Sequence, residues 1–85
     1  MANDKTIQAI RSNVARLLRE ERERQKVSLN ALAQRAGISR QMVSFVESEE
    51  RNPSLEMLLR LTIALNVKLE DVIRNARKLA SLRNR

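Results

Sequence analysis

The chain has 85 residues and carries 17 lysines and arginines against 10 aspartates and glutamates, which gives a net charge of +7. It contains no cysteine and no histidine, which excludes disulfides, thiol and imidazole catalysis and the usual zinc sites, and its length allows one small domain. The positive charge indicates a polyanionic partner such as nucleic acid, although many soluble proteins are basic without binding one.

The chain lacks the sequence patterns that direct a protein to a membrane. No apolar run approaches the roughly 18 residues that cross a bilayer, and residues 1–5 lack the charged and apolar regions of a signal peptide. We therefore expect a cytoplasmic protein that makes no membrane contact. Its carboxylates, among them Glu20, Glu21 and Glu23, follow the pattern of a solvated helix face, so we expect no catalytic residues, no metal site, no cofactor and no enzyme activity.

The composition predicts helices throughout, because strand-type alternation is absent and the single proline, Pro53, lies in a polar stretch. The first helix is predicted from about Thr6 to Gln25. Its apolar stripe, which would face the core, consists of Ile7, Ile10, Val14, Leu17 and Leu18.

A second helix is predicted to begin after Ser28 and to end at a tight turn. Leu32, Ala33 and Ala36 fall on one face of this helix. Gly37, the only glycine in the chain, follows at once. Because glycine reaches the left-handed backbone region most cheaply, its position predicts the turn that ends the helix.

A third helix is predicted from the N-cap Ser39 to about residue 48, with Val43 and Val46 facing the core. Residues advance by about 100° along a helix, so four side chains would project away from that side and could reach the major groove of DNA: Arg40, Gln41, Ser44 and Phe45. Arginine pairs with guanine, glutamine pairs with adenine, and an apolar ring contacts the thymine methyl group. For Phe45, the only aromatic residue, a core or interface position is the alternative.

A fourth helix is predicted after the cap Ser54, beyond a polar loop over residues 49–53. Its apolar residues surround much of its circumference, which predicts a central position in the fold. They are Leu55, Leu58, Leu59, Leu61, Thr62 and Leu65.

A fifth helix is predicted from Leu69 to about Leu82, and its apolar stripe continues into the basic segment 74–85. The stripe has no obvious acceptor in the same chain, so it predicts pairing with the same helix of a second subunit in a homodimer. Folding back onto helix 1 is the alternative. The expected dimerisation residues are Val72, Ile73, Ala76, Leu79 and Ala80.

Three segments form a pattern more specific than charge or periodicity: LAQRAGISRQMVSFVE over residues 32–47, NPSLEMLLRLTIALNV over 52–67, and LEDVI over 69–73. With them, residues 14–73 resemble the helix-turn-helix DNA-binding domain of the Cro and Xre repressor family. The resemblance implies an all-α, five-helix, lambda-repressor-like fold and sequence-specific operator binding, usually by a dimer. Residues 1–13 would then form an extension with the start of helix 1, and residues 74–85 a basic extension of the last helix.

The resemblance also implies which residues contact DNA. It places base recognition on Ser39, Arg40, Gln41, Ser44 and Phe45. It places phosphate contacts at the start of helix 2, around Ser28 and Leu29, and in the loop at Arg51 and Asn52. Ser39, at the start of helix 3, is also expected to contact phosphate. Family members often carry glutamine where this chain has Leu29, and leucine would instead join the buried face and leave only backbone amides for phosphate.

Three further charged residues are expected to hold helix 3 in place or to contact phosphate. Arg22 and Glu47 match positions that form an ion pair between helices 1 and 3 in similar domains, and this pair would orient helix 3. Arg35 could bind phosphate, or it could complement the helix dipole at the end of helix 2.

Together these observations predict a small transcriptional regulator, a repressor or autoregulator, that inserts helix 3 into the major groove of a palindromic operator. It would act as a homodimer on double-stranded DNA in the cytoplasm, as a bacterial or phage protein associated with the nucleoid. Restriction-system controller proteins and antitoxins share this compact organisation. The alternative function is a protein-interaction adaptor, or an antitoxin-type module that binds a toxin or another regulator.

Overall fold

Five α-helices follow one another along residues 3–83, which are the residues that this computed structural model describes. They are α1 (Asp4–Arg24), α2 (Leu29–Ala36), α3 (Arg40–Glu47), α4 (Leu55–Ala64) and α5 (Leu69–Arg83). The expected five-helix, all-α fold is confirmed, and each helix begins and ends close to its predicted boundary. No helix within the described residues is long and apolar enough to cross a bilayer.

Side-chain caps fix the starts of the first four helices. In each one, the side-chain oxygen of the cap accepts a hydrogen bond from the backbone N–H three residues later, which satisfies a group that the helix itself leaves unpaired. The caps are Asn3, Ser28, Ser39 and Ser54, with bonds of 3.0–3.1 Å. The serines predicted as caps therefore hold the beginnings of α2, α3 and α4.

Left-handed residues terminate the same four helices. They are Lys26 (φ 58°), Gly37 (φ 71°), Glu49 (φ 65°) and Asn66 (φ 59°). The backbone N–H of the following residue bonds in each case to the carbonyl five residues before it, at 2.9–3.1 Å, as in a Schellman motif. The sequence predicted this turn only at the glycine, and the other three positions adopt it at a conformational cost.

All five helices contribute to the core: α1 packs against α5 and α3, and α2 packs against α3 and α4. The most deeply buried aliphatic side chains of this core are Leu32, Val43, Val46, Leu61 and Leu65. The predicted core stripe of α1 is only partly buried, because Val14 and Leu18 lie inside while Ile7 is exposed to solvent.

Helix α5 packs along α1, which corrects the expectation that its apolar stripe lacks an acceptor in the same chain. Ala76 and Ala80 are fully buried within the subunit. Asn13 on α1 is buried beside them, and its side-chain amide donates a 3.0 Å hydrogen bond to the carbonyl of Ala76. The other residues assigned to a dimer interface are half-buried, and Val72 and Ile73 pack against the core. Of the five expected dimerisation residues, Ala76 and Ala80 therefore serve the fold of one subunit, while Val72, Ile73 and Leu79 keep part of their surface exposed.

Helix α4 is not central, which corrects a second expectation. One of its faces is buried through Leu61, Leu65 and Thr62, whose hydroxyl donates a 2.8 Å hydrogen bond to the carbonyl of Leu58. The opposite face lies in solvent. There Leu55, Leu59 and Ile63 keep 66%, 41% and 74% of their surface exposed, and we call these three residues the α4 stripe.

Candidate nucleic-acid interface

The turn between α2 and α3 is fixed by its backbone conformation and by a neighbouring arginine. Gly37 lies in the left-handed region, and the N–H of Ile38 bonds to the carbonyl of Ala33 at 3.0 Å. Arg60 from α4 donates a 3.2 Å hydrogen bond to the carbonyl of Ala36. A Cβ at Gly37 would lie 3.1 Å from that guanidinium, so both backbone and space favour glycine.

Helix α3 buries one side and exposes the other, as its phase predicts. Val43 and Val46 lie in the core, whereas Arg40, Gln41 and Ser44 are exposed. Within residues 3–83, the side chains of these three residues form no hydrogen bond or ion pair. The exposed side of α3 therefore presents a guanidinium, an amide and a hydroxyl that are available to a ligand.

The predicted ion pair between Arg22 and Glu47 is present and joins α1 to α3. The guanidinium donates two hydrogen bonds to the carboxylate, at 2.7 and 3.0 Å, and a third to the carbonyl of Val27 at 2.9 Å. The side chains are only 13% and 8% exposed. Hydrogen bonding to Glu47 raises the pKa of Arg22 despite the opposing effect of burial. Because both Glu47 oxygens are held, this pair fixes the rotation of α3 about its axis.

Phe45 is half-buried, so neither alternative for it describes the structure fully. The guanidinium of Arg51 lies 5.1 Å from the centre of the Phe45 ring, within the range of a cation–π contact. The carbonyl of Phe45 also accepts a 3.0 Å hydrogen bond from the N–H of Glu50. Phe45 thus connects the exposed side of α3 to the loop that follows it, a contact that the sequence did not predict.

A second connection to the same loop comes from α1. Glu49 begins the loop in a left-handed conformation, and the Ser12 hydroxyl donates a 2.5 Å hydrogen bond to its carboxylate. Arg51 and Asn52 follow and are exposed. The sequence offered no signal for this contact, because the two residues lie 37 positions apart.

The positions expected to contact phosphate differ in what they expose. Ser28 and Ser39 are exposed but use their hydroxyl oxygens as caps. Leu29 packs against the core, as expected, which leaves its backbone rather than its side chain for a ligand. Arg35 is exposed in the last turn of α2, where its charge complements the helix dipole and its guanidinium is accessible to a ligand.

The electrostatics of this region combine free cations with two acids. Within residues 3–83, Arg35, Arg40 and Arg51 form no ion pair, and the Arg51 guanidinium lies over the Phe45 ring. Glu49 and Glu50 lie beside Arg51 in the loop and are exposed. No group of histidine, cysteine, aspartate or glutamate within the described residues is arranged to hold a metal ion.

Comparisons with known proteins agree with this geometry. A helix-turn-helix family model, HTH_3, matches residues 18–72. An HTH-type transcriptional regulator of Archaeoglobus fulgidus is 31% identical over 55 residues, which cover 65% of this chain and 78% of that protein.

Two solved structures are similar in fold. The crystal structure of the restriction-modification controller protein C.AhdI from Aeromonas hydrophila superposes with a TM-score of 0.69 at 32% identity, and the match covers 74% of this chain and 94% of that one. The clp gene regulator ClgR from Corynebacterium glutamicum gives a TM-score of 0.79 at 27% identity, with coverage of 88% and 80%.

Proposed function

The chain belongs to the HTH_3 helix-turn-helix family of DNA-binding transcriptional regulators, which are not enzymes, and from this premise we propose that it binds a palindromic operator as a homodimer, with α3 in the major groove. Occupancy of a promoter would make it a repressor or an autoregulator. A regulator of this kind acts in the cytoplasm, where its DNA target lies.

The orientation of α3 is the observation that carries the proposal. Burial of Val43 and Val46 directs Arg40 and Gln41 to solvent at the N-terminal end of the helix, which is the end that reaches base edges in this motif. Arginine donates two hydrogen bonds to guanine, and glutamine exchanges two with adenine. Ser44, one turn further along, is placed to contact the same groove.

Contacts to the phosphate backbone would surround this helix. Arg51 and Asn52 follow α3 in an exposed loop, Arg35 ends α2, and Ser39 begins α3. At the start of α2, Ser28 and the backbone of Leu29 offer the N-terminal N–H groups that favour anions. Phe45 would touch the groove edge through its exposed part and hold Arg51 towards a phosphate.

Selection of bound duplexes from a random DNA library tests the proposal. The recovered sites are titrated with purified protein at two salt concentrations, since a protein that neutralises phosphates loses affinity steeply as salt rises. We expect a palindromic consensus and tight, salt-sensitive binding. A library without a consensus, together with weak binding, would contradict the proposal and favour a protein-interaction adaptor or an antitoxin-type module.

Variants separate base contacts from phosphate contacts in the same assay. Arg40→Ala and Gln41→Ala should each cost about 1–3 kcal/mol at particular base pairs, whereas Arg51→Ala should weaken binding to all sequences alike. Equal losses on every sequence for Arg40→Ala and Gln41→Ala would remove both residues from base recognition.

A further inference from the structure

The α4 stripe is an apolar surface that the subunit does not cover. Leu55, Leu59 and Ile63 are spaced four residues apart on a ten-residue helix, so each lies about 40° around the helix from the one before. Two of them keep about two thirds or more of their surface in solvent. A row of three exposed aliphatic side chains on one helix face is characteristic of an interaction surface.

The other exposed aliphatic residues do not form such a row. Among the described residues, Ile7 is the only exposed large aliphatic residue of α1 and Leu82 the only one of α5. The apolar stripe of α5 is already used against α1. The α4 stripe is therefore the surface that the fold leaves for a partner.

The stripe is symmetric about its middle residue. When two copies of α4 lie antiparallel across a two-fold axis near Leu59, the two Leu59 side chains meet, and each Leu55 faces the Ile63 of the second copy. An isologous interface requires such self-complementarity, because the same patch must fit itself.

The charges beside the stripe are also self-complementary. Glu56 and Arg60 lie on one flank, both exposed, and form a 3.1 Å pair within the helix. A two-fold axis perpendicular to the plane of the helix pair brings this flank against the same flank of the second copy. Antiparallel pairing then places each Glu56 near the Arg60 of the other copy. A different protein whose surface carried charges of one sign would be repelled by either Glu56 or Arg60.

We infer that the α4 stripe is the dimerisation surface, and that it pairs with the α4 stripe of a second copy of this chain in an antiparallel, two-fold arrangement. This inference rests on the proposed homodimer and replaces the α5 residues with Leu55, Leu59 and Ile63 as its contacts. The stripe lies on the helix after the α3–α4 loop, so pairing would fix the spacing between two copies of α3.

Sedimentation equilibrium of the full chain without DNA tests the inference. The variant Leu55→Gln/Ile63→Gln replaces side chains that are largely solvated in one subunit, so the fold should persist, as circular dichroism can verify. We expect its self-association constant to fall by at least about a hundredfold, because four aliphatic side chains leave each interface. Leu82→Gln, an exposed aliphatic residue outside the stripe, should change the constant by less than about twofold.

Two results would overturn the inference. One is a wild-type protein that stays monomeric well above micromolar concentration, which would leave the stripe to a different protein. The other is a Leu55→Gln/Ile63→Gln variant that dimerises as tightly as the parent. A third result separates the inference from the proposed function. If the parent dimerises and this variant does not, but the DNA selection with the parent recovers no operator, the proposed function is refuted and the inferred interface stands.

Crosslinking tests the position of the two-fold axis independently. The chain has no cysteine, so Leu59→Cys introduces one thiol, which lies next to its symmetry mate in the inferred pairing. Mild oxidation should convert this variant to a covalent dimer, while Leu82→Cys should remain mostly monomeric. Equal crosslinking of the two variants would contradict a contact centred on Leu59.

Discussion

Replacing Glu47 with alanine should destabilise the protein by about 3 kcal/mol. Glu47 accepts two hydrogen bonds from Arg22 between side chains that are almost buried. Breaking a buried pair costs about 3–5 kcal/mol, since one charge is left without its partner. The lower end applies here, because the guanidinium keeps its bond to Val27 and remains 13% exposed.

Thermal unfolding followed by circular dichroism measures this effect. A domain of this size loses about 4–8 °C in Tm for each kcal/mol, so Glu47→Ala should melt roughly 12–24 °C below the parent. The matched control is Glu20→Ala, which breaks the exposed Arg16–Glu20 pair on α1 and should cost less than about 0.5 kcal/mol.

A double variant distinguishes an unpaired charge from lost packing. Arg22→Met/Glu47→Leu removes both charges and fills the space, so it should recover most of the stability lost in Glu47→Ala. A Glu47→Ala protein that melts within about 3 °C of the parent would refute the reasoning. A double variant no more stable than the single one would show that the unpaired charge is not the cause.

Two further predictions concern the helix ends. Lys26→Gly should raise the free energy of unfolding by about 0.5–1 kcal/mol, because Lys26 occupies the left-handed region without glycine's freedom. Gly37→Ala should lower the free energy of unfolding by about 1–2 kcal/mol, because alanine would have to adopt the left-handed conformation that glycine adopts freely. Urea unfolding measures both changes, and a Lys26→Gly protein less stable than the parent would contradict this account. Hydrogen bonds from Gln25 and then Arg24 hold the pKa of Glu21 below its usual value of 4.5, so this carboxylate stabilises the fold above that pH, and the contribution is lost as the pH falls through the lowered pKa. The Tm of the parent should therefore fall more between pH 6 and pH 3 than that of Glu21→Gln, and equal falls would remove Glu21 as a cause of acid destabilisation.

The helix-turn-helix was predictable because its determinants are local. Ser28 and Ser39 cap the helices that follow them, and Gly37 ends the first with the one residue that favours a left-handed turn. The alternation of buried valines and exposed polar residues on α3 then fixes which side faces outward. Each signal acts over about four residues, so the sequence alone displays it.

The errors occurred where a side chain's environment depends on distant parts of the chain. An apolar stripe on α5 shows that one face needs cover, but not that α1 provides it. Apolar residues around the circumference of α4 are equally typical of a helix buried in the core and of a helix that contacts another subunit. In the structure, Leu61 lies in the core and Ile63 lies in solvent. The bridge between Ser12 and Glu49 and the left-handed turn at Lys26 carry no local signature, because each depends on the surrounding packing or on strain that the fold overcomes.

The contact between α1 and α5 has a consequence for how the protein folds. Asn13 and Ala76, which meet in a buried hydrogen bond, lie 63 residues apart, whereas α2 and α3 are neighbours in the chain. Closing the longer loop costs more conformational entropy and slows the search for the contact. We therefore expect the contact between α1 and α5 to form last. A chain still being synthesised would form α2 and α3 early, yet it would lack a complete core until α5 has emerged from the ribosome.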